Sequence, residues 1–239
     1  MKYSFLVFIF SLVYTHSFSQ ETLNDKAVSD SLKTTYASYK EDQFYAGVTY
    51  NILVNKPANL SQSGFSIGVL LGFIKDMPIN KRRNVAIGLG LGLASNSFNN
   101  NMFINKDALG NYSYSILSDS DISYSKNKLT TYKVELPIEF RWRTSTANEY
   151  KFWRIYTGIK LGYVLADTYK FKGDIGAIKH TNLSDMNDFQ YGLTLSAGYN
   201  TWNLHFYYGL NTIFSDDAMI NNKSLDVSAI KLGLIFYIL

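Results

Sequence analysis

The stretch from Tyr132 to Arg143 alternates without a break. Tyr132, Val134, Leu136, Ile138, Phe140 and Trp142 hold one parity; Lys133, Glu135, Pro137, Glu139, Arg141 and Arg143 hold the other. A helix would scatter these charges around its axis, whereas a strand collects them on one side. The fold must therefore contain a sheet with one wholly apolar face and one face that accommodates ionised groups.

The same period of two recurs from Gln43 onward. Phe44, Ala46, Val48, Tyr50, Ile52 and Val54 oppose Gly47, Thr49 and Asn51. Phe65, Ile67, Val69, Leu71 and Phe73 oppose Ser66, Gly68 and Gly72, and Val85 to Leu93 opposes Gly88, Gly90 and Gly92. Further segments begin at Trp153, Phe189, Trp202 and Ile230, again with small or polar residues at every second place. Aromatics make up 16% of the chain and Pro only 3 residues, a mix that suits pleated surfaces.

About eight such segments, each near or beyond the length a tilted membrane-crossing strand needs, form the pattern. A soluble barrel alternates too, but buries its apolar face. Here that face is bulky and free of charge on every strand, while the other is rich in glycine, which suits a narrow interior. The expected fold class is all-β: an eight-stranded antiparallel transmembrane β-barrel with a short N-terminal periplasmic extension. The expected location is the outer membrane, with outer-membrane lipid as one partner.

Connection lengths agree with this. Asn55 to Ser61 is modest, Ser95 to Asn127 and Asp167 to Asp188 are long, and Ser215 to Asp226 is intermediate. Between them lie Lys75 to Asn84, Thr144 to Tyr150 and a tight Asn200-Thr201 turn, so the two long connections fall at one end, as in outer-membrane barrels. Trp142, Trp153 and Trp202 fall on the apolar face beside the short turns, where a periplasmic aromatic girdle belongs. The final stretch, KLGLIFYI, resembles the signal read by the barrel-assembly machinery, with Lys231, Gly233, Phe236 and Ile238 at its spacing.

The beginning of the chain reads as a secretory signal: Lys2, an apolar run from Phe5 to Tyr14, then Ser17-Phe18-Ser19 before Gln20. The apolar run is too short to span a bilayer. The domain reading is signal peptide 1–19, periplasmic extension 20–42 with room for a short helix, and barrel 43–239. Asp30-Ser31-Leu32 resembles an O-glycosylation acceptor of Bacteroidetes-type bacteria.

Few chemistries survive the composition. The chain has no cysteine, hence no disulfide, thiolate nucleophile or Cys-ligated metal. The formal charge is +4, and its compact basic run, Lys81-Arg82-Arg83, is too short for a nucleic-acid footprint and reads as a solvated turn. Gly88, Gly90 and Gly92 lack dinucleotide-loop spacing and clear one strand face instead. His16 leaves with the signal, His180 lies in a long loop and His205 faces the interior, so no pair has metal-ligand spacing. No cofactor or metal site is expected.

Lys133, Glu135, Glu139, Arg141, Arg154 and Lys160 are expected to form an interior charge network. Buried charges are costly unless paired, so a salt-bridged plug is the expected outcome, with an ion path as its alternative. His180 with Ser184 or Asp185 is the candidate constellation for a barrel enzyme acting on lipid A or peptides; a solvated histidine is the plainer reading. The long loops, rich in Asn, Ser, Asp and Tyr, suit a partner or glycan and equally any wet loop.

Val134-Glu135-Leu136-Pro137-Ile138 resembles the central strand of the PorT-like outer-membrane β-barrel proteins of Bacteroidetes. The resemblance, over about Gln43 to Leu239, implies an eight-stranded outer-membrane barrel. It also implies, for the namesake members, an accessory part in type IX protein secretion with secretion-system or surface proteins as partners. It carries no catalytic residues. The expected function is non-enzymatic: a structural or partner-binding barrel, with a small barrel enzyme and a narrow pore as alternatives.

Overall fold

A computed structural model describes residues 42–117, 122–144 and 152–238. The signal-like segment, the extension and the Asp30-Ser31-Leu32 tripeptide lie outside these residues. In chain order the strands are β1 (Gln43–Val54), β2 (Ile67–Pro78), β3 (Val85–Asn99), β4 (Met102–Lys106), β5 (Tyr112–Ile116), β6 (Tyr124–Arg143) and β7 (Trp153–Gly173). They continue with β8 (Gly176–Thr181), β9 (Phe189–Tyr199), β10 (Trp202–Gly209), β11 (Met219–Ile220), β12 (Lys223–Ser224) and β13 (Ser228–Ile238). No helix occurs among the described residues.

Eight strands close into an antiparallel barrel in the order β1, β2, β3, β6, β7, β9, β10, β13. Closure comes from β1 against β13, with Phe44 opposite Ile238 and Val54 opposite Ser228. Every barrel strand alternates in burial, and the outward residues are the apolar ones. Phe44 is 63% exposed and Leu204 70%, while Gln43, Asn51, Asp76, Arg141 and Arg143 are fully enclosed. A protein surrounded by water would invert this arrangement.

The barrel has a turn end and a loop end. At the turn end, β9 and β10 are joined by Asn200-Thr201, with Asn200 in the left-handed region (φ 56°) that asparagine tolerates. Lys81-Arg82-Arg83 lies in the β2–β3 turn, as expected. At the loop end the structure departs from the expected boundaries. β3 runs on to Asn99, β6 starts at Tyr124 and β7 reaches Gly173, so much of two supposed loops is strand. Above the apolar belt the outward face need not be apolar; hydrophobic alternation fades while the backbone ladder continues. A register shift between Tyr132 and Lys133 marks the transition, with Leu165 as the extra residue on β7.

The loops also carry their own core. Met102, Ile104 and Tyr114 of the β4–β5 hairpin gather with Leu183, Met186, Ile213, Phe214, Ile220, Leu225 and Val227. They sit on the last inward barrel residues, among them Leu53, Phe98, Leu129, Tyr169 and Phe171. The Asn- and Ser-rich composition suits a partner or glycan and any wet loop equally; in the structure these loops enclose an apolar cap. Its strands, such as Met102–Lys106 and Tyr112–Ile116, are too short for their alternation to stand out from the polar residues around them.

Candidate functional site

The interior is built around β6, whose inward face offers Lys133, Glu135, Pro137, Glu139, Arg141 and Arg143. Space for these long side chains comes from the neighbouring strands. Glu135 is flanked by Gly92 on β3 and Gly162 on β7; Glu139 is flanked by Gly88 and Gly158. Side chains replace the missing Cβ atoms: one built on Gly88 would lie 2.7 Å from Arg141 Cδ, and one on Gly90 2.6 Å from Ile74 Cγ1. Gly88, Gly90 and Gly92 are therefore recesses for Arg141, Ile74 and Tyr45, as a narrow barrel needs.

Two polar clusters result. Near the turn end, Asp76 accepts from Arg141 Nη1 at 2.7 Å and from Arg143 at 2.8 Å through both nitrogens of its fork. Arg141 also donates to Gln43, lies 3.7 Å from Glu139 and stacks 4.1 Å above the Tyr156 ring. Deeper in, Glu135 holds Lys160 at 3.2 Å and Lys231 at 3.9 Å, and Lys231 sits 4.6 Å over Tyr207. Of the six expected members of the network, Glu135, Glu139, Arg141 and Lys160 take part in ion pairs.

Lys133 and Arg154 are buried by other means. Lys133 donates to the Gln190 amide oxygen. Arg154 stacks on Phe152 at 4.5 Å and faces Tyr156 and Tyr237 at 5.9 and 5.6 Å. Aromatic faces thus stand in for carboxylates on part of an interior where cations outnumber them. The structure adds Asp76, Arg143, Lys231 and Gln190 to the expected network. Asp76 falls in the expected turn Lys75 to Asn84, which is strand up to Pro78; Lys231, expected on the polar face of the last strand and in the terminal signal, joins through Glu135.

The suggested catalytic constellation does not assemble. His180 lies on β8, stacked on Tyr169 (ring centroids 6.0 Å apart) and edge-on to Tyr112 (5.6 Å). Burial first, then the Lys106 charge, lowers its affinity for a proton. Ser184 and Asp185 hydrogen-bond to each other at 2.5 Å, and Asp185 accepts from Tyr114 at 3.1 Å. Burial and Asp185 together raise the Tyr114 phenol. A serine–histidine contact the sequence did not suggest lies inside instead: Ser196 Oγ is 2.8 Å from His205 Nδ1, both enclosed. Enclosure there leaves no approach for a substrate. Among the described residues no group of His, Asp and Glu has the arrangement of a metal site.

On the outer surface, Trp142, Trp153 and Trp202 all lie at the turn end and point outward. Trp153 packs on Tyr199 at 5.3 Å and Trp202 on Phe236 at 5.0 Å. Phe236 and Ile238 face outward on β13, whereas Lys231 faces inward; Gly233 pairs with Thr49 and His205. The family model described as "Outer membrane protein beta-barrel domain" matches residues 13–215. No curated protein is matched.

Proposed function

The chain belongs to the family of outer membrane protein beta-barrel domains, and from that premise we propose that it is a non-conducting, non-enzymatic barrel that presents a partner-binding surface outside the cell. It is an outer-membrane protein; the loop end is the external face in this reading and the turn end the periplasmic one. The observation that carries the proposal is the enclosure of the interior. Arg141, Arg143 and Asp76 are fully buried across the barrel, and an apolar cap lies over the loop end. Ions moving through would have to break paired, desolvated charges, which costs several kcal/mol per ion.

Tryptophans at the turn end support the orientation, since aromatic rings favour the membrane–water interface. We assign Trp142, Trp153 and Trp202 to the periplasmic girdle, and Lys231, Gly233, Phe236 and Ile238 to recognition by the assembly machinery. Resemblance at Val134 to Ile138 further favours an accessory role in type IX secretion within Bacteroidetes. Planar-bilayer recording of the purified barrel is the test of the closed interior: no steady conductance is expected, and long-lived open channels would overturn it. For the secretion role, deletion should change the set of secreted proteins; an unchanged set removes it.

A further inference from the structure

Where β6, β7 and β8 rise above the apolar belt, their outward face carries lysines in register. Lys128 pairs directly with Lys170, and Lys170 with Lys179, so three stand abreast on three strands. One step further along, Lys126 pairs with Lys172. Asn127, Leu129, Tyr169 and Phe171 of the same strands are buried, so the lysines must point away from the barrel. Directly opposed like charges destabilise a sheet. Among the described residues none of these five lysines is ion-paired. Among the described residues, Asp174 accepts from the Ser123 backbone, and Asp107 from Leu109 and Asn111.

The height of this ladder is informative. Tyr132 and Trp142 are separated by ten residues of β6, which span about 33 Å along the strand. At a usual tilt this is about 25 Å along the membrane normal, the height of an apolar band. Lys128 lies four residues above Tyr132, so its Cα is about 10 Å beyond the belt, at the depth of lipid headgroups. A groove of about 300 Å³ runs from Lys126, Lys128 and Lys170 past Thr130, Ser95 and Ser97 to Tyr132, Ile67 and Val69. Cations at the top and apolar side chains at the foot match an amphiphile with a phosphorylated head.

We propose that this face binds a phosphorylated glycolipid of the outer leaflet, with Lys128, Lys170 and Lys179 holding its phosphates and the groove its first acyl segment. The lipid would neutralise a ladder that otherwise repels itself. This inference rests on the loop end facing outward.

The test uses the full mature barrel in neutral detergent, with bis-phosphorylated lipid A as probe, read by native mass spectrometry and by the temperature at which the compact gel band is lost. Wild type should retain the lipid and gain heat resistance from it. Replacing the three lysines (Lys128→Gln, Lys170→Gln, Lys179→Gln) should weaken retention on the order of tenfold. Because repulsion is relieved, that variant should be no less heat-resistant than wild type without lipid, which also verifies folding. Lys170→Gln alone, removing the centre of the ladder, should show a smaller loss of the same kind. Lipid stripped of phosphate should not be retained, and millimolar inorganic phosphate should not displace the intact lipid.

Equal retention by wild type and the triple variant overturns the proposal. So does an equal loss in a control lacking Lys75, Lys81 and Arg82 at the turn end, or full displacement by inorganic phosphate. A loop-end label inaccessible on intact cells would instead overturn the orientation, so the two failures are distinguishable.

Discussion

Asp76 lets two arginines share one wall of a narrow interior. Its carboxylate takes hydrogen bonds from both guanidiniums, and all three side chains are removed from solvent. Removing one partner of a buried charge group typically costs about 3–5 kcal/mol, because the remaining charge keeps its desolvation penalty. Asp76→Asn should therefore lower the temperature at which the compact gel band disappears, with no loss of outer-membrane targeting. An unchanged transition would mean that Gln43 and Glu139 suffice to hold the arginines. The charges of β6 were legible because their alternation is unbroken. Asp76 was not, because Lys75 and Pro78 made its surroundings resemble a turn. Arg154 was legible as inward but not as the neighbour of aromatic rings, since cross-barrel proximity leaves no mark on local sequence.

Among the elements, the loop-end hairpins differ most from their sequence reading. β4 and β5 pair with Met102 opposite Ile116 and Ile104 opposite Tyr114, and Tyr114 meets Phe214 from a different loop at 5.6 Å. A large-to-small change in such a core loses about 3–5 kcal/mol of local stability. Phe214→Ala should accordingly make the loops far more sensitive to added protease while leaving the heat-modifiable band intact. Simultaneous loss of both would show that cap and barrel unfold as one unit. The distinction matters for the proposed function, in which a partner at the cell surface would meet this cap first. Composition could not reveal it: asparagines such as Asn101 and Asn187, which look like solvated loop residues, cross-link backbone segments beneath the surface.

At the scale of the whole molecule, a closed ladder leaves no strand edge to fray, so the barrel should survive detergent at room temperature and unfold only on heating. The expected observation is a compact band on an unboiled gel that migrates more slowly after boiling. Absence of cysteine makes orientation easy to measure. Leu109→Cys, at the exposed β4–β5 turn, should react with a membrane-impermeant maleimide on intact cells, whereas Lys81→Cys at the opposite end should react only after lysis. The reverse pattern would turn the molecule over and detach the lysine ladder from the outer leaflet.

Strand number, strand faces and the outward direction of the greasy residues were all determined by the amino-acid order, because a period of two imposed by lipid on one side and a narrow interior on the other is a local signal. Tertiary structure alone decided which charges meet, which glycines make room for which neighbours, that scattered loop hydrophobics converge into a cap, and that five lysines line up in register. Those relations depend on barrel closure and inter-strand register, which join residues tens of positions apart through geometry rather than through any spacing along the chain.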